Sequence, residues 1–486
     1  MIPLIFEQSV PGRRALTFPR LSEAEREGPL PLPAGCCASE PPELPEVGEL
    51  DVVRHFTLLS QQNFSVDTQF YPLGSCTMKY NPRLCEKVAA LDGFAGLHPL
   101  LPQLRGGGTL TQGALEVLWR TGQLLRELTG MEAFTLQPMA GAHGELTGML
   151  MIAAYHRARG ETRRTVLIPD SAHGTNPASA TIAGYSVVTV GTDAEGNVDL
   201  ADFQAKLTPD TAAVMLTCPN TLGLFERHIR EIADRAHANG TLLYYDGANL
   251  NALMGRARPG DLGFDVMHLN VHKTLGTPHG GGGPGAGPVG CTEALAPFLP
   301  VSTVEKRSDG TYALDYDRPH SIGYIAPFYG NFGVLLRAYA YMLSLGGSGL
   351  REATDHAVLN ANYLRVRLQE AFDIPYNRIC MHEVLLSAER QTKTRGVRAL
   401  DFAKGLIDAG HHPPTIYFPL IVHEALMIEP TETESKTTLD AFVTDLLRLA
   451  QLAETHPEAF ATMPETTAIS RVDETRAARG MQLKAL

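Results

Sequence analysis

The chain has 486 residues and a formal net charge of −12, with 44% hydrophobic and 19% charged residues. This balance is typical of a globular protein and excludes extensive disorder, and the length predicts two or more domains. The acidic charge argues against a nucleic-acid-binding surface. No stretch approaches the about 18 uncharged apolar residues that a membrane-spanning helix needs, so no such helix is expected.

The cysteines argue against a disulfide framework or a structural zinc site. There are seven, an odd number, and no C-x-x-C pair occurs, although Cys36 and Cys37 are adjacent. A reducing cytoplasm is therefore the simplest compartment for the protein. The first ten residues contain Glu7 and lack the basic start of a secretory signal.

Residues 1–70 are predicted to form an extended N-terminal arm. Residues 28–45 contain six prolines, which exclude a helix in that segment. A short helix should follow, with an apolar face formed by Leu50, Val53, Phe56 and Leu59. Residues 71–82 are bounded by prolines and rich in polar side chains, which fits either a functional loop or a plain connector.

Residues 71–330 are predicted to form a large α/β domain. Short apolar runs alternate there with helical stretches such as residues 227–238, as in βαβ units around a buried, mostly parallel sheet. The predicted strands are residues 132–136, 166–168, 186–190, 213–216, 242–245 and 266–271.

The pattern changes near Asn331. Residues 332–345 and 351–372 are predicted to be helices, and short strands with intervening helices follow. Residues 331–450 are therefore expected to form a smaller α+β domain, and residues 451–486 a C-terminal helical or tail segment.

The carboxyl ends of the strands are the places to look for a ligand site. After the first predicted strand, the glycine-bearing loop 137–145 leads into an apolar helix at 146–155. Free backbone N–H groups and the positive end of the helix dipole make such a loop suitable for a phosphate, although the loop alone is weak evidence.

Three ionisable residues follow later strands: His173, Asp246 and Lys273. A histidine in such a position is more often structural. A buried aspartate needs a cationic or N–H partner, and a lysine at the end of a buried strand must be paired, modified or functional. Together with the phosphate loop, these residues are the set that pyridoxal phosphate (PLP) requires: a lysine for the Schiff base and an aspartate for the ring nitrogen.

Two stretches are especially specific, residues 270–274 around Lys273 and residues 427–435. With them, the sequence resembles the glycine cleavage system P-protein family (glycine dehydrogenase, decarboxylating), and within its two-subunit form the second subunit. The other matching stretches are residues 6–13, 71–82, 137–148, 170–180, 217–226 and 246–250.

The resemblance implies an α/β fold of the fold-type I PLP-dependent transferase class, with a mostly parallel central sheet and a smaller α+β domain. By analogy, Lys273 is the Schiff-base lysine, Asp246 binds the ring nitrogen and His173 stacks on the ring. The remaining cofactor-binding residues that it implies are Ala248 at the opposite face, Gly141, Ala142 and His143 at the phosphate, Asn220 or Thr221 at the ring hydroxyl, and His272. No metal ligand is implied.

The implied reaction is the decarboxylation of glycine with transfer of the aminomethyl group to the lipoyl arm of H-protein. The implied partners are a homologous subunit 1, in an α2β2 assembly, and lipoylated H-protein. The residues that bind the glycine carboxylate stay open, with residues 75–81 and Asn331 as candidates. The proline-rich arm and residues 106–108 are candidate interface elements.

Several alternative interpretations of the motifs are less favourable. Residues 285–290 fit G-x-G-x-x-G but do not lie between a strand and a helix, so a nucleotide site is not favoured. His268 and His272 have zinc-site spacing, but the residues between them are strand-like. Cys76 is either a reactive or an inert thiol. The functional alternatives are another PLP enzyme, such as a desulfurase or an amino-acid decarboxylase, and a scaffold subunit without catalysis.

Overall fold

The computed structural model describes residues 2–15, 22, 33, 35–36, 38, 40, 42–101, 109–279 and 285–481. The chain separates into two compact units, Met1–Thr68 and Gln69–Leu486. The suggested interface loop at residues 106–108 lies outside the described residues, and so does most of the proline-rich segment.

The first unit contains a short 3-10 helix, Ile5–Gln8, and the α-helix α1, Glu49–Ser60. The predicted short helix is therefore present. Its apolar face is not covered, because Leu50, Val53 and Phe56 are 57%, 56% and 57% exposed.

The second unit consists of a large sheet with helices, followed by a smaller sheet with helices. The α-helices described in it are α2 Arg83–Ala89, α3 Asp92–Ala95, α4 Gln112–Thr129, α5 Gly141–Ala158, α6 Thr175–Ile182, α7 Leu200–Lys206, α8 Ile229–Ala238, α9 Val271–Thr274, α10 Phe332–Leu368, α11 Glu389–Arg395, α12 Ala399–Asp408, α13 Lys436–Thr455 and α14 Glu474–Arg479. The strands are β1 Ala133–Thr135, β2 Thr165–Pro169, β3 Ser186–Val190, β4 Thr211–Thr217, β5 Leu242–Gly247, β6 Val266–Leu269, β7 Val289–Cys291, β8 Thr303–Lys306, β9 Tyr312–Asp315, β10 Val384–Ser387, β11 Thr415–Ile416 and β12 Ala425–Ile428.

Within the described residues, the large sheet has seven strands in the order β1-β7-β6-β5-β4-β2-β3. The pairs β6–β5, β5–β4, β4–β2 and β2–β3 are parallel, and β7 runs antiparallel to both of its neighbours. The sheet is buried on both faces. Along β4, Val214 and Leu216 pack into one hydrophobic core, and Ala213 and Met215 into another.

Strand β7 was not predicted, because glycines and prolines dominate the sequence before it. Gly290 explains why this strand fits between β1 and β6. A Cβ at this position would lie 2.4 Å from Phe134 Cζ, so only a glycine leaves room for the phenylalanine ring of the neighbouring strand.

The two predicted helices at 332–345 and 351–372 are one long helical segment, α10, interrupted at Gly346. Gly346 has φ of 62°, in the left-handed region that favours glycine, and the helix direction changes at this residue. The smaller sheet, β10-β12-β11, packs with α12, α13 and the second half of α10 around its own hydrophobic core. Helix α13 runs through residue 450, where the sequence-based domain boundary was drawn.

No helix among the described residues is long and apolar enough to cross a membrane.

The core of the smaller sheet supplies a stability prediction. Phe402 is fully buried and its ring lies 5.1 Å from that of Phe372. Phe402→Ala is expected to lower the free energy of unfolding by about 3–5 kcal/mol, because it removes apolar contacts and leaves a cavity. Urea denaturation followed by far-UV circular dichroism measures the change. Ile379→Ala is the control, since Ile379 is 75% exposed; equal losses for the two variants would contradict this packing.

Candidate functional site

A cavity of about 410 Å³ lies at the carboxyl ends of β4, β5 and β6. The predicted residues in its wall are Gly141, Ala142, His173, Thr221, Asp246, Ala248, His272 and Lys273. Residues 73–76 close it from one side, and Thr415 and Phe418 contribute from the smaller α+β region. A larger cavity of about 560 Å³ elsewhere in the chain is lined by none of the predicted site residues.

Lys273 lies in α9, the single helical turn that follows β6. The side chain is half-buried, and Nζ donates a hydrogen bond of 2.8 Å to the carbonyl oxygen of Ser75. Ser75 has φ of 66°, a backbone conformation that a non-glycine residue adopts only when the surroundings fix it. The lysine amine is thus bound at the cavity wall by Ser75, a residue distant in sequence.

Asp246 ends β5 and is only 3% exposed. Its carboxylate accepts hydrogen bonds from Ala248 N–H at 3.0 Å and from Thr217 Oγ1 at 3.4 Å. His268 Nε2 lies 3.3 Å from Asp246 Oδ1, and His268 Nδ1 lies 2.8 Å from the hydroxyl of Tyr244. Since a buried carboxylate must be paired or hydrogen-bonded, these contacts make a charged Asp246 tolerable.

Glu145 is a second buried carboxyl beside Asp246. With its amide nitrogen turned toward the carboxyls, Asn176 lies 3.0 Å from Glu145 Oε2 and 3.0 Å from Asp246 Oδ2. Burial and the negative charge of Asp246 raise the pKa of Glu145. These effects favour the neutral, protonated form of Glu145.

Two glycines at the predicted phosphate site, Gly141 and Gly287, have no room for a Cβ atom. A Cβ on Gly141 would lie 2.2 Å from Asn270 Oδ1, and a Cβ on Gly287 would lie 2.1 Å from Ala140 O. Helix α5 begins at Gly141, so its first backbone N–H groups have no partner within the helix. Asn270 Oδ1 is buried without a hydrogen-bond partner. A cradle of backbone at a helix N-terminus fits a phosphate group.

The predicted histidines differ in position. His173 is exposed at the cavity, with its ring centroid 5.6 Å from that of Phe418. Desolvation lowers its pKa. Burial and the nearby His279 and Lys273 lower the pKa of His272 to about 3, so this ring is neutral. His143 Nδ1 accepts a hydrogen bond from Met139 N–H at 3.2 Å, and His143 does not line the cavity.

The two candidates for the ring hydroxyl are also separated. Thr221 lines the cavity, and its hydroxyl donates to the carbonyl oxygen of Ser171. Asn220 does not line it: Nδ2 donates to Gly196 O at 2.8 Å, and Oδ1 accepts from the N–H groups of Leu222 and Leu224. The Asn220 side chain therefore stabilises its own turn.

Residues 71–82 make buried contacts beside the cavity. Cys76 Sγ lies 2.9 Å from His279 Nε2, and both residues line the cavity. Lys79 is buried, and its amine donates to Thr274 O at 2.6 Å and to Glu432 Oε1 at 2.8 Å. These contacts fix the loop against the turn that carries Lys273.

Sequence reasoning missed Glu145, Asn176 and His268. Glu145 lies near the N-terminus of a helix, where an acidic residue is ordinarily explained by the helix dipole. His268 offered a usable signal, because a histidine inside an apolar strand needs a polar partner. It was considered only with His272 as a zinc pair, whereas the structure brings it to Asp246 and Glu145.

Comparison with known proteins now identifies the family. Residues 108–314 match a family described as the glycine cleavage system P-protein, and residues 353–466 match the C-terminal domain of glycine dehydrogenase. A probable glycine dehydrogenase (decarboxylating) subunit 2 from Desulforamulus reducens is 56% identical, over 98% of this chain and 97% of that protein. One from Listeria monocytogenes serotype 4b is 54% identical, over the same shares of the two chains.

The chain belongs to the glycine dehydrogenase (decarboxylating) subunit 2 family. This membership confirms the family, the enzyme class, the P-protein function and the PLP cofactor that the sequence predicted. The local geometry agrees, because a lysine, a buried aspartate and a phosphate cradle converge on one cavity.

Solved structures confirm the fold-type I architecture. A glycine decarboxylase P-protein in inhibitor-bound form aligns with a TM-score of 0.74 at 22% identity, covering 89% of this chain and 100% of that one. A Lactobacillus brevis glutamate decarboxylase aligns with a TM-score of 0.64 at 14% identity, covering 89% and 97%. An Escherichia coli cysteine desulfurase aligns with a TM-score of 0.60 at 16% identity, covering 82% and 98%. The similarity to these structures is one of fold.

Glu145→Gln is expected to gain stability relative to the wild type as the pH rises. The pKa of Glu145 is raised above its usual 4.5 in the folded chain, so the folded state keeps a proton that the unfolded state releases. The stabilisation from that proton is complete below the unfolded pKa and is lost as the pH rises toward the folded pKa. Glutamine does not titrate, so between about pH 5 and 8.5 the difference in unfolding free energy should shift toward the variant by about 1 kcal/mol or more.

Urea denaturation of both proteins across this pH range measures the shift. Glu458→Gln is the control, since Glu458 is exposed. A difference between wild type and Glu145→Gln that does not change with pH would mean that Glu145 is ionised in the folded chain.

Proposed function

We propose that this chain is the PLP-carrying subunit of a two-subunit P-protein that decarboxylates glycine and transfers the aminomethyl group to the lipoyl arm of H-protein. The observation that carries the proposal is the convergence of Lys273 and the buried Asp246 on one cavity that also contains a phosphate cradle. A scaffold subunit would have no need for this combination.

Lys273 would hold the cofactor covalently through its amine, and Asp246 would accept a hydrogen bond from the protonated ring nitrogen. When bound, PLP supplies an electron sink for the electron pair that remains after the glycine carboxylate leaves as CO2. Asp246 can serve a cationic nitrogen because the neighbouring Glu145 retains the proton of the pair. The neutral His268 beside Asp246 adds no competing positive charge, since burial lowers its pKa.

The other cavity residues have supporting roles in the proposal. The N–H groups at Gly141 and Ala142 bind the phosphate, His173 stacks on the ring and Ala248 packs on its opposite face. Thr221 is the better candidate for the ring hydroxyl than Asn220, because only Thr221 lines the cavity. His272 is a neutral neighbour of Lys273, and His143 supports the phosphate loop through Met139.

The partners in this proposal are subunit 1, in an α2β2 assembly, and lipoylated H-protein. The relatives named subunit 2 support the existence of a partner subunit. We also propose a cytoplasmic location. The described cysteines Cys36, Cys76, Cys85, Cys218, Cys291 and Cys380 are free thiols, as a reducing compartment requires.

A desulfurase is the main rival among PLP enzymes, since Cys76 lies in the cavity wall. A desulfurase needs a reactive thiolate. Burial raises the pKa of Cys76 despite the opposing effect of Lys273, so its thiol stays protonated at neutral pH. The protonated state of Cys76 therefore argues against a desulfurase and leaves glycine decarboxylation as the favoured activity.

The experiment for the proposed function is the exchange of labelled CO2 into the carboxyl group of glycine. The chain, co-expressed with its partner subunit and supplied with PLP and lipoylated H-protein, should catalyse this exchange. Omitting H-protein should reduce the rate to near background. Sulfide release from cysteine without any glycine exchange would instead support the desulfurase alternative.

Asp246→Asn should retain part of the bound PLP through Lys273 but lose glycine exchange by about 100-fold or more, because the ring nitrogen loses its charged partner. Absorbance spectra measure the cofactor, and the exchange assay measures turnover. Asp234→Asn, at an exposed helix position, is the control. Unchanged exchange in the Asp246 variant would remove the proposed role of this carboxylate.

A further inference from the structure

A second buried group of ionisable residues does not line the cavity. His382, Glu383 and Glu429 each place a nitrogen or oxygen atom within 4.8 Å of the others. Their exposures are 0%, 1% and 1%. They belong to the smaller α+β region, where His382 and Glu383 precede β10 and Glu429 follows β12. Burying two carboxyl groups side by side raises the free energy of the folded state unless hydrogen bonds or charged partners compensate for the lost water.

Both glutamates bind the loop that touches Lys273. Glu383 Oε2 accepts the backbone N–H of Ser75 at 2.9 Å. Glu429 Oε1 accepts the hydroxyl of Thr77 at 2.5 Å and the side-chain amide of Asn251 at 3.0 Å. The carbonyl oxygen of the same Ser75 accepts the hydrogen bond from Lys273 Nζ. A continuous series of contacts therefore runs from Glu383 through one residue of the loop to the lysine amine.

The carboxyl groups sit on a rigid support. Met381 N–H donates to Gly223 O at 2.7 Å, and a Cβ on Gly223 would lie 2.4 Å from Glu383 O. On the loop side, a Cβ on Gly74 would lie 2.6 Å from Met427 O. Backbone therefore packs directly on backbone both at Glu383 and at Gly74, which leaves the start of the loop little room to move relative to the smaller region.

The charge of the His382, Glu383 and Glu429 group is also compatible with binding the loop through hydrogen bonds. Burial raises the pKa values of both Glu383 and Glu429, and Lys273 opposes the shift in each case. Burial and Lys273 lower the pKa of His382 to about 3, so His382 is neutral. The pair thus carries less than its full negative charge and holds the loop by accepting hydrogen bonds. It does not compete with Asp246 as a second counter-charge.

We propose that Glu383 and Glu429 are positioning residues that hold residues 75–77 against the amine of Lys273 and so set its orientation in the cavity. The reaction described under the proposed function depends on this orientation. The contacts lie within this chain, so the inference can be tested separately from that function.

The first test is hydrogen exchange of the full chain purified without added PLP. Overlapping peptides that cover residues 71–80 report the Ser75 amide. Glu383→Ala should speed its exchange by about tenfold or more, because the amide loses the carboxylate that accepts its hydrogen bond. Glu383→Gln should stay close to wild type, since the amide oxygen still accepts. Glu454→Ala, at an exposed residue paired with Arg395, is the matched control.

The second test is the rate at which added PLP becomes attached to Lys273, trapped with borohydride and mapped by peptide analysis. Glu383→Ala should lower this rate by about tenfold, and Glu383→Gln should restore it. If Glu383→Ala does not fold, Thr77→Val provides the same test from the loop side, because it removes a hydrogen bond to Glu429 without burying an unpaired charge. Its expected effect is a slower attachment with unchanged secondary structure.

Unchanged exchange and unchanged attachment in Glu383→Ala would overturn the inference. So would one equivalent of zinc or manganese in the purified chain that is lost in Glu429→Gln, because the cluster would then be a metal site. Failure of wild-type Lys273 to accept PLP would contradict the proposed function, while the Ser75 exchange data would still decide the inference.

Discussion

The site depends on keeping one negative charge inside a protein interior that disfavours it. Asp246 is almost completely buried, and an isolated carboxylate there would take up a proton. Its carboxylate accepts hydrogen bonds from Ala248 and Thr217, and the neighbouring Glu145 is favoured in its neutral form. The chemistry proposed for PLP requires that charge at the ring nitrogen.

The parallel sheet supplies the geometry. The carboxyl ends of successive parallel strands lie at the same edge of the sheet. Residues that are far apart in the sequence are therefore neighbours at that edge. Asp246 lies near the end of β5, and Lys273 follows the adjacent strand β6. Helix α5 begins at Gly141, and its first residues line the same cavity. Residues 73–76 then close the cavity, held in place by buried glutamates of the smaller α+β region.

Much of this arrangement was predictable from the sequence. Uninterrupted apolar runs predicted the parallel strands, and the residues after them predicted His173, Asp246, Lys273 and the phosphate loop. Strand β7 escaped prediction because its neighbours in sequence are glycines and prolines. The break between the two helices predicted at 332–345 and 351–372 was predictable, and it lies at Gly346. Glu145, His268, Glu383 and Glu429 escaped because each acts through a partner distant in sequence, which periodicity and local spacing do not reveal.

The most direct test of the account is the location of the cofactor bond. The wild-type chain, co-expressed with its partner subunit and PLP, is reduced with borohydride and digested, and the peptides are mapped by mass spectrometry. The account predicts one pyridoxyl group on Lys273. Lys79 is the informative alternative, because it is a buried lysine and its amine donates to the carbonyl oxygen of Thr274, the residue after Lys273. An adduct on Lys79, or no adduct at all, would contradict the assignment of this cavity as the active site.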